Sequence, residues 1–272
     1  MPRIAVLQMT SGIDPKANYN AILEGMGHAE AEGAEVLFTP EMALMLDRNR
    51  KRASEWIDSP APDELLNQAI MLMEMSDIDL AIGSMPIRTS SGKWANRSVY
   101  ISAKDERATT YDKMHMFDVR LKSGETWHES AAYEPGRQVV TVENTPVERL
   151  GLTVCYDLRF PALFDALGNQ WCDTIAVPAA FTQPTGAAHW HVMLRARAIE
   201  ASAFVVAAAQ VGEHEDGRRT YGHSLVVDPW GEVLLDMGGE KPGVGIVDID
   251  LDRISEVRAQ VPSLANRRPI AT

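Results

Sequence analysis

The sequence predicts an α/β (α+β) domain with packed sheets, and three observations predict it. Short β-prone apolar runs alternate with segments of helical periodicity. Several of these runs are joined by turn residues into hairpins. No linker-like shift in composition and no low-complexity segment interrupts the 272 residues.

In chain order, Arg3 to Met9 reads as a central strand. Asp14-Pro15 forms an N-cap with Pro at the first helical position, and Tyr19, Ile22, Leu23, Met26 and Ala29 recur at helical spacing up to a stop at Gly33. Val36 to Thr39 is a short strand running into Pro40-Glu41. Residues 47 to 62, polar and carrying Pro60 and Pro62, read as a loop with one helical turn. Asp63 caps a helix whose apolar face is Leu65, Leu66, Ala69, Ile70 and Met73. Leu80 to Pro86 is a strand, Ser90-Ser91-Gly92 a turn, and Ser98 to Ser102 the returning strand.

Thr109 to Tyr111 is a strand running into Asp112-Lys113. Residues 118 to 137 form a long polar loop of a length that is usually functional. Val139 to Val142 and Leu150 to Val154 are strands, Pro161 to Leu167 a short helix and Thr174 to Pro178 a strand. A helix from Ala187 to Ser202 precedes the strand Phe204 to Gln210. Tyr221 to Asp228 and Glu232 to Asp236 form a hairpin about Asp228-Pro229-Trp230-Gly231. Val244 to Leu251 is the last strand, Ile254 to Gln260 the last helix, and 262 to 272 an irregular tail.

The composition is that of a soluble globular enzyme, 45% hydrophobic and 24% charged. The formal balance, 26 minus 38 or −12, disfavours nucleic acid and anionic membranes as partners. Two cysteines, Cys155 and Cys172, exclude a disulfide scaffold and fit a reducing cytoplasm. MPRIAVLQM is too short an apolar run for a signal peptide, and no run is long enough to span a bilayer.

The chemistry gathers at strand ends. VLFT ends on Pro40-Glu41, TTY on Asp112-Lys113 and GLTV on Cys155. If these strands are neighbours in one sheet and point the same way, a carboxylate, an ammonium and a thiol meet at its carboxyl edge, where α/β sheets bind ligands. A cysteine at the tip of a buried strand, just before a turn, has the pose that a nucleophile needs. Each residue alone has a plain alternative: a strand cap for Cys155, a helix cap for Glu41, a solvated charge for Lys113. Glu41 serves as the base for the thiol if burial raises its pKa toward neutrality. Lys113 and the backbone N–H of Tyr156 are suited to an oxyanion. No G-x-S-x-G is present. His189 and His191 flank Trp190, but residues two apart on a helix do not face each other, so no metal site is expected there.

VLFTPEM, YDKMHMFD and GLTVCYDLRFP resemble the Glu-Lys-Cys signature of the nitrilase superfamily of carbon-nitrogen hydrolases. The likeness continues through HESAAYEPG, VPAAFTQPTGAAHWHVMLRARAIE, AAAQVGEH, YGHSLVVDPWGEV and NRRP. These segments are most similar to the branch of deaminated glutathione amidases and ω-amidases. The resemblance implies a four-layer α-β-β-α sandwich spanning residues 1–272, with 252–272 as C-terminal helix and tail. It implies a homodimer or larger homo-oligomer paired across a helical layer, and no cofactor. It also implies Glu41 as base, Lys113 as oxyanion stabiliser, Cys155 as nucleophile and Glu129 as the carboxylate orienting Lys113. Thr182, Thr185, His189 and Arg195 fall in the segment that lines the substrate pocket in this branch, with Arg195 either meeting a substrate carboxylate or remaining a solvated charge. Glu134, in a Pro-Gly turn, reads as structural. Trp171-Cys172 departs from the small residues common there.

The implied reaction converts a small carboxylate-bearing ω-amide to carboxylate and ammonia through a cysteine thioester. The candidates are deaminated glutathione or an α-keto acid ω-amide. Hydrolysis of N-carbamoyl compounds or nitriles at the same site, and an inactive binding or scaffold protein, are the alternatives.

Overall fold

The computed structural model describes residues 1–104, 108–120, 124 and 126–268. The last four residues of the expected tail, including the Pro of NRRP, lie outside them. The strands are β1 Arg3–Gln8, β2 Val36–Phe38, β3 Asp79–Arg88, β4 Trp94–Ile101, β5 Ala108–Asp112, β6 Asp118–Arg120, β7 Thr126–His128, β8 Thr141–Thr145, β9 Glu148–Leu152, β10 Thr174–Ala176, β11 Phe204–Ala207, β12 Val211–Glu213, β13 Arg219–Tyr221, β14 Leu225–Val227, β15 Val233–Asp236 and β16 Gly243–Asp248. The helices are α1 Pro15–Ala31, α2 Arg50–Ile57, α3 Ala61–Met73, α4 Pro161–Asn169, α5 Gln183–Ala201 and α6 Asp252–Gln260.

Two six-stranded sheets, ordered β16-β1-β2-β3-β4-β5 and β15-β14-β11-β10-β9-β8, pack face to face. Period-2 alternation separates the layers. In β1, Ile4 and Val6 join the core shared with Leu150, Leu152, Ile175 and Val205 of the second sheet. Ala5 and Leu7 face the opposite way, onto Ile22 and Met26 of α1 and Ala69 and Met73 of α3. Beyond the second sheet, Phe164 and Leu167 of α4 and Trp190, Leu194 and Ala198 of α5 close the core. This is the expected α-β-β-α sandwich. No helix among the described residues is long and apolar enough to cross a membrane.

Local signals behave as their physics dictates. The Asp14 carboxylate accepts from the backbone N–H of Lys16 at 2.9 Å, Pro15 opens α1, and Gly33 follows its end at φ +74°. Elsewhere packing moves the boundaries. The expected loop at 47–62 contains the two-turn α2, because Ala53 and Ile57 bury against Met45 and Trp94. The next helix starts at Ala61, ahead of Asp63. β8 begins at Thr141, in register with Gly151. The long polar loop contains the β6–β7 hairpin and a 3₁₀ turn at Glu129–Ala131. The single strand expected over 221–228 is split, because Gly222 and His223 both adopt left-handed φ, +71° and +55°.

Topology sets the site. β1, β2 and β3 are mutually parallel, and two antiparallel steps through β4 make β5 run the same way as β2. In the second sheet β9, β10 and β11 are parallel. A parallel bridge between Met9 and Gln210 joins the carboxyl ends of the two sheets. The three strand ends therefore converge, but not as neighbours in one sheet. β2 and β5 are separated by β3 and β4, and β9 belongs to the other sheet.

Gly83 of β3 sits at this junction. A Cβ there would lie 2.0 Å from the Thr39 carbonyl oxygen, 2.4 Å from Pro178 Cβ and 2.6 Å from the Pro40 carbonyl oxygen. Two of these are backbone atoms that have nowhere to go. Gly83→Ala is expected to destabilise the fold by about 3 kcal/mol, read as a lower denaturant midpoint at unchanged slope.

Candidate active site

Cys155 opens a 3₁₀ turn, Cys155–Arg159, directly after the buried end of β9. Its φ is +48°, a left-handed conformation that a non-glycine residue holds only where its surroundings enforce it. The surroundings do so: Cys155 N–H donates to the Pro178 carbonyl at 2.8 Å, and the Asp157 carboxylate accepts from Val154 N–H at 2.9 Å. Asp157, fully buried, also accepts from the Tyr111 hydroxyl at 2.7 Å and from His115 N–H at 3.1 Å. It thus ties the cysteine turn to the segment that carries Lys113.

Lys113 is 2% exposed, and its ammonium donates to Glu41 Oε1 at 3.0 Å and to both Glu129 oxygens at 3.0 and 2.9 Å. The other contacts of the carboxylates are also protein donors. Glu41 Oε2 accepts from Ala180 N–H at 2.9 Å, and Glu129 Oε2 from Phe117 N–H at 2.6 Å. Asn96 Nδ2 bridges them, 2.9 Å from Glu41 and 3.3 Å from Glu129. The Cys155 thiol shares the cavity with Glu41 and feels the charges of Glu41 and Lys113.

Burial opposes charge on Glu41, but the Lys113 ammonium, the nearby Cys155 thiol and the hydrogen bonds from Lys113 and Asn96 together prevail, and its carboxyl lies below the ordinary 4.5. The expected lift toward neutrality does not occur, because Glu41 shares its site with a buried cation. Burial opposes charge on Lys113 too, but Glu129 and Glu41 hold it above the ordinary 10.5. Burial and the Glu41 charge push the Cys155 thiol well above the ordinary 9.0. At rest the Lys113 ammonium therefore faces the Glu41 carboxylate beside a neutral Cys155 thiol.

A cavity of about 760 Å³ opens onto Glu41, Lys113, Glu129, Cys155 and Tyr156, and Thr182 and Thr185 are on its wall. His189 and Arg195 are not. His189 lies 3.3 Å from an Arg159 nitrogen, and Arg195 donates to the Gly231 carbonyl at 2.7 Å. The reason is helical rise: α5 carries Arg195 ten residues, roughly 15 Å, beyond Thr185. The cations on the wall are instead Arg48, Arg50, Arg159, Arg218 and Arg219. Arg159 lies over the rings of Phe181 and Tyr156, 5.3 and 5.9 Å from their centroids, with no carboxylate partner among the described residues. Arg48 and Arg218 both lie on Trp127, at 5.5 and 5.0 Å.

Asn96, Asp157, Arg159 and Trp127 escaped the reading of the sequence. Only Asp157 and Arg159 carried a signal, as polar residues inside the turn that begins at Cys155. Cys172 is apart from the site. It is fully buried, and burial pushes its thiol up to about 12. Its neighbour Trp171 is half exposed under Arg258. Glu134 accepts from the Ser91 hydroxyl at 2.7 Å.

A buried ammonium between carboxylates beside a thiol, at the joined edge of two stacked sheets, defines a class: hydrolases of carbon-nitrogen bonds other than peptide bonds. Residues 3–259 match the carbon-nitrogen hydrolase family, and the chain belongs to it. More narrowly, it is an amidase of the nitrilase superfamily. It is 38% identical to the deaminated glutathione amidase of Yersinia enterocolitica, over 99% of this chain and 94% of that one. The C. elegans NitFhit protein superposes with a TM-score of 0.89 at 33% identity, over 98% of this chain, which spans 65% of that chain. An amidase from Nesterenkonia sp. AN1, with acrylamide joined by Michael addition to its active-site cysteine, superposes at 0.80 with 25% identity, over 96% and 98% of the two chains.

Proposed function

We propose that this amidase cleaves a carboxylate-bearing ω-amide, with deaminated glutathione as the substrate, through a thioester on Cys155. The observation that carries this reading is the Lys113 ammonium held 3.0 Å or less from both Glu41 and Glu129 in the cavity that exposes Cys155. The thiol attacks the amide carbon as its proton passes to Glu41. The tetrahedral oxyanion is stabilised by Lys113 and the Tyr156 N–H. Glu129 keeps the ammonium oriented and charged. Glu41 returns the proton to the departing amine, then activates the water that releases the acid. The amine is ammonia for a simple ω-amide and a dipeptide for deaminated glutathione.

Arg159 supports the carboxylate requirement, since its charge faces the cavity four residues from the nucleophile without an acidic partner among the described residues. The cavity, about 760 Å³, has room for a tripeptide-sized acyl amide, and Arg48 provides charge along its wall, while Arg218 is paired with Asp216 at 2.7 Å. We take residues 1–272 as one such domain. The exposed apolar Val192 and Ile199 of α5, with Trp230, are read as the seat of a second copy of the chain.

Arg159→Leu tests the substrate. Losing one charge-assisted bond, about 1.5–3 kcal/mol, should raise KM for deaminated glutathione roughly 10- to 100-fold. The kcat should hold within a few-fold, and an uncharged amide should be unaffected. Equal losses on charged and uncharged amides, or faster turnover of a nitrile or N-carbamoyl compound, would reject the assignment.

A further inference from the structure

A second cluster of reactive side chains lies away from the cavity. His191 of α5, His223 before β14 and Asp236 at the end of β15 bring one donor atom each within 4.8 Å of one another. None lines the pocket that holds Cys155. His189 and His191 diverge, His189 to Arg159 and His191 to Asp236, so the expectation of no metal there covered only the pair and not His191 with distant partners. The partners of His191 are 32 and 45 residues further on, outside the reach of any spacing rule.

We propose that His191, His223 and Asp236 form a divalent-cation site suited to Zn²⁺. Two imidazole nitrogens and one carboxylate oxygen are a zinc donor set, with the fourth position left to water. His191 Nε2 is 3.0 Å from Asp236 Oδ2, and His223 Nδ1 is 2.8 Å from Asp236 Oδ1. Ligands on a tetrahedral ion sit roughly 3.3 Å apart when each bond is about 2.0–2.1 Å. Those two histidine–carboxylate separations need to open by only a few tenths of an ångström, and the two imidazole nitrogens, within 4.8 Å of each other, then converge on one ion. The three side chains are 33%, 25% and 35% exposed in the order His191, His223, Asp236, which leaves an entry path and room for a water ligand.

The scaffold holds the donors in place before any ion arrives. His223 keeps the left-handed φ of +55° next to Gly222, a cost a histidine accepts only under constraint. Its carbonyl accepts from Trp190 Nε1 at 2.8 Å, its N–H donates to the Gly238 carbonyl at 2.8 Å, and the Tyr221 ring stacks on it with centroids 4.4 Å apart. The Asp236 carboxylate accepts from Gly238 N–H at 2.9 Å. Trp190 is the neighbour of His191, so one buried indole fixes both imidazole-bearing segments. A bound ion would staple α5 to the β14–β15 hairpin.

The test uses the full chain with Cys155→Ala, which removes the thiol near Glu41 as a competing zinc ligand. Equilibrium dialysis against micromolar Zn²⁺ should find one ion per chain, and zinc should raise the melting temperature. Asp236→Asn and His191→Ala, each in that background, should weaken zinc binding at least tenfold and abolish the thermal shift. His191 is 33% exposed, so its variant serves if Asp236→Asn proves unstable without metal. Unchanged zinc affinity in either folded variant, or no binding below millimolar zinc, overturns the proposal.

Discussion

Replacing Cys155 with alanine is expected to lower kcat at least about 10⁴-fold while the protein remains folded. In the proposed mechanism this side chain is the nucleophile, and Cys172 cannot replace it, being buried away from the cavity with its thiol pushed up to about 12. Cys172→Ser should therefore leave kcat within a few-fold. Mass spectrometry of the wild-type enzyme quenched during turnover should find the acyl adduct on Cys155, and an adduct on Cys172 would defeat the mechanism.

The pH profile belongs to the same prediction. Glu41 lies below the ordinary 4.5 and the Cys155 thiol well above the ordinary 9.0. The carboxylate–thiol pair is thus the resting form between those values, and kcat/KM should be level there. It should fall on the acid side only below about pH 4.5, as Glu41 takes up a proton. An acid limb near neutrality would mean that Glu41 is raised after all.

Lys113→Met is expected to lose both activity and stability. Removing the cation leaves Glu41 and Glu129 buried and unpaired, a change that costs about 3–5 kcal/mol, or roughly 10 °C in melting temperature for a chain of this size. If Lys113 serves the oxyanion as proposed, its loss should lower kcat by at least about 10²–10³-fold. The folded-state shifts give the sign of the pH dependence. Glu41 is depressed, so its contribution is present above about 4.5 and fades as pH falls through its folded value. Lys113 is raised, so its contribution is complete below about 10.5 and fades as pH rises through its folded value.

In the variant Glu41 loses its cation, and burial, which opposes its charge, then raises it. The gap in stability from wild type should therefore narrow as pH drops toward 5. Lys113→Met with Glu129→Gln should recover part of the stability at neutral pH, with kcat still low. Full stability in Lys113→Met alone, measured by urea unfolding, would show that the buried ion cluster is not what holds this end of the sandwich together.

Much was legible in the chain because it was local. Asp14 and Pro15 announce α1, since a cap acts within three residues. The apolar runs ending at Glu41, Lys113 and Cys155 stand out because a buried strand that stops on a reactive group breaks its own pattern. What the chain could not reveal was which sheet each strand joins. Cys155 sits on the opposite sheet from Glu41 and Lys113, and contacts between the sheets, the Met9–Gln210 bridge and the Tyr111–Asp157 hydrogen bond among them, bring the edges together. The same limit hid Asn96 between the carboxylates, Asp157 beneath the turn and the His191–His223–Asp236 cluster.

It also reversed one sign. Burial alone would raise Glu41, but a lysine 72 residues away lowers it. Periodicity, caps and turn residues were enough to write the elements and the reactive strand ends into the sequence, because those preferences act between near neighbours. Strand partners, side-chain directions and net charge balance waited for the folded molecule. They follow from packing and Coulomb interactions between segments that are close in space only after two sheets have closed on one core.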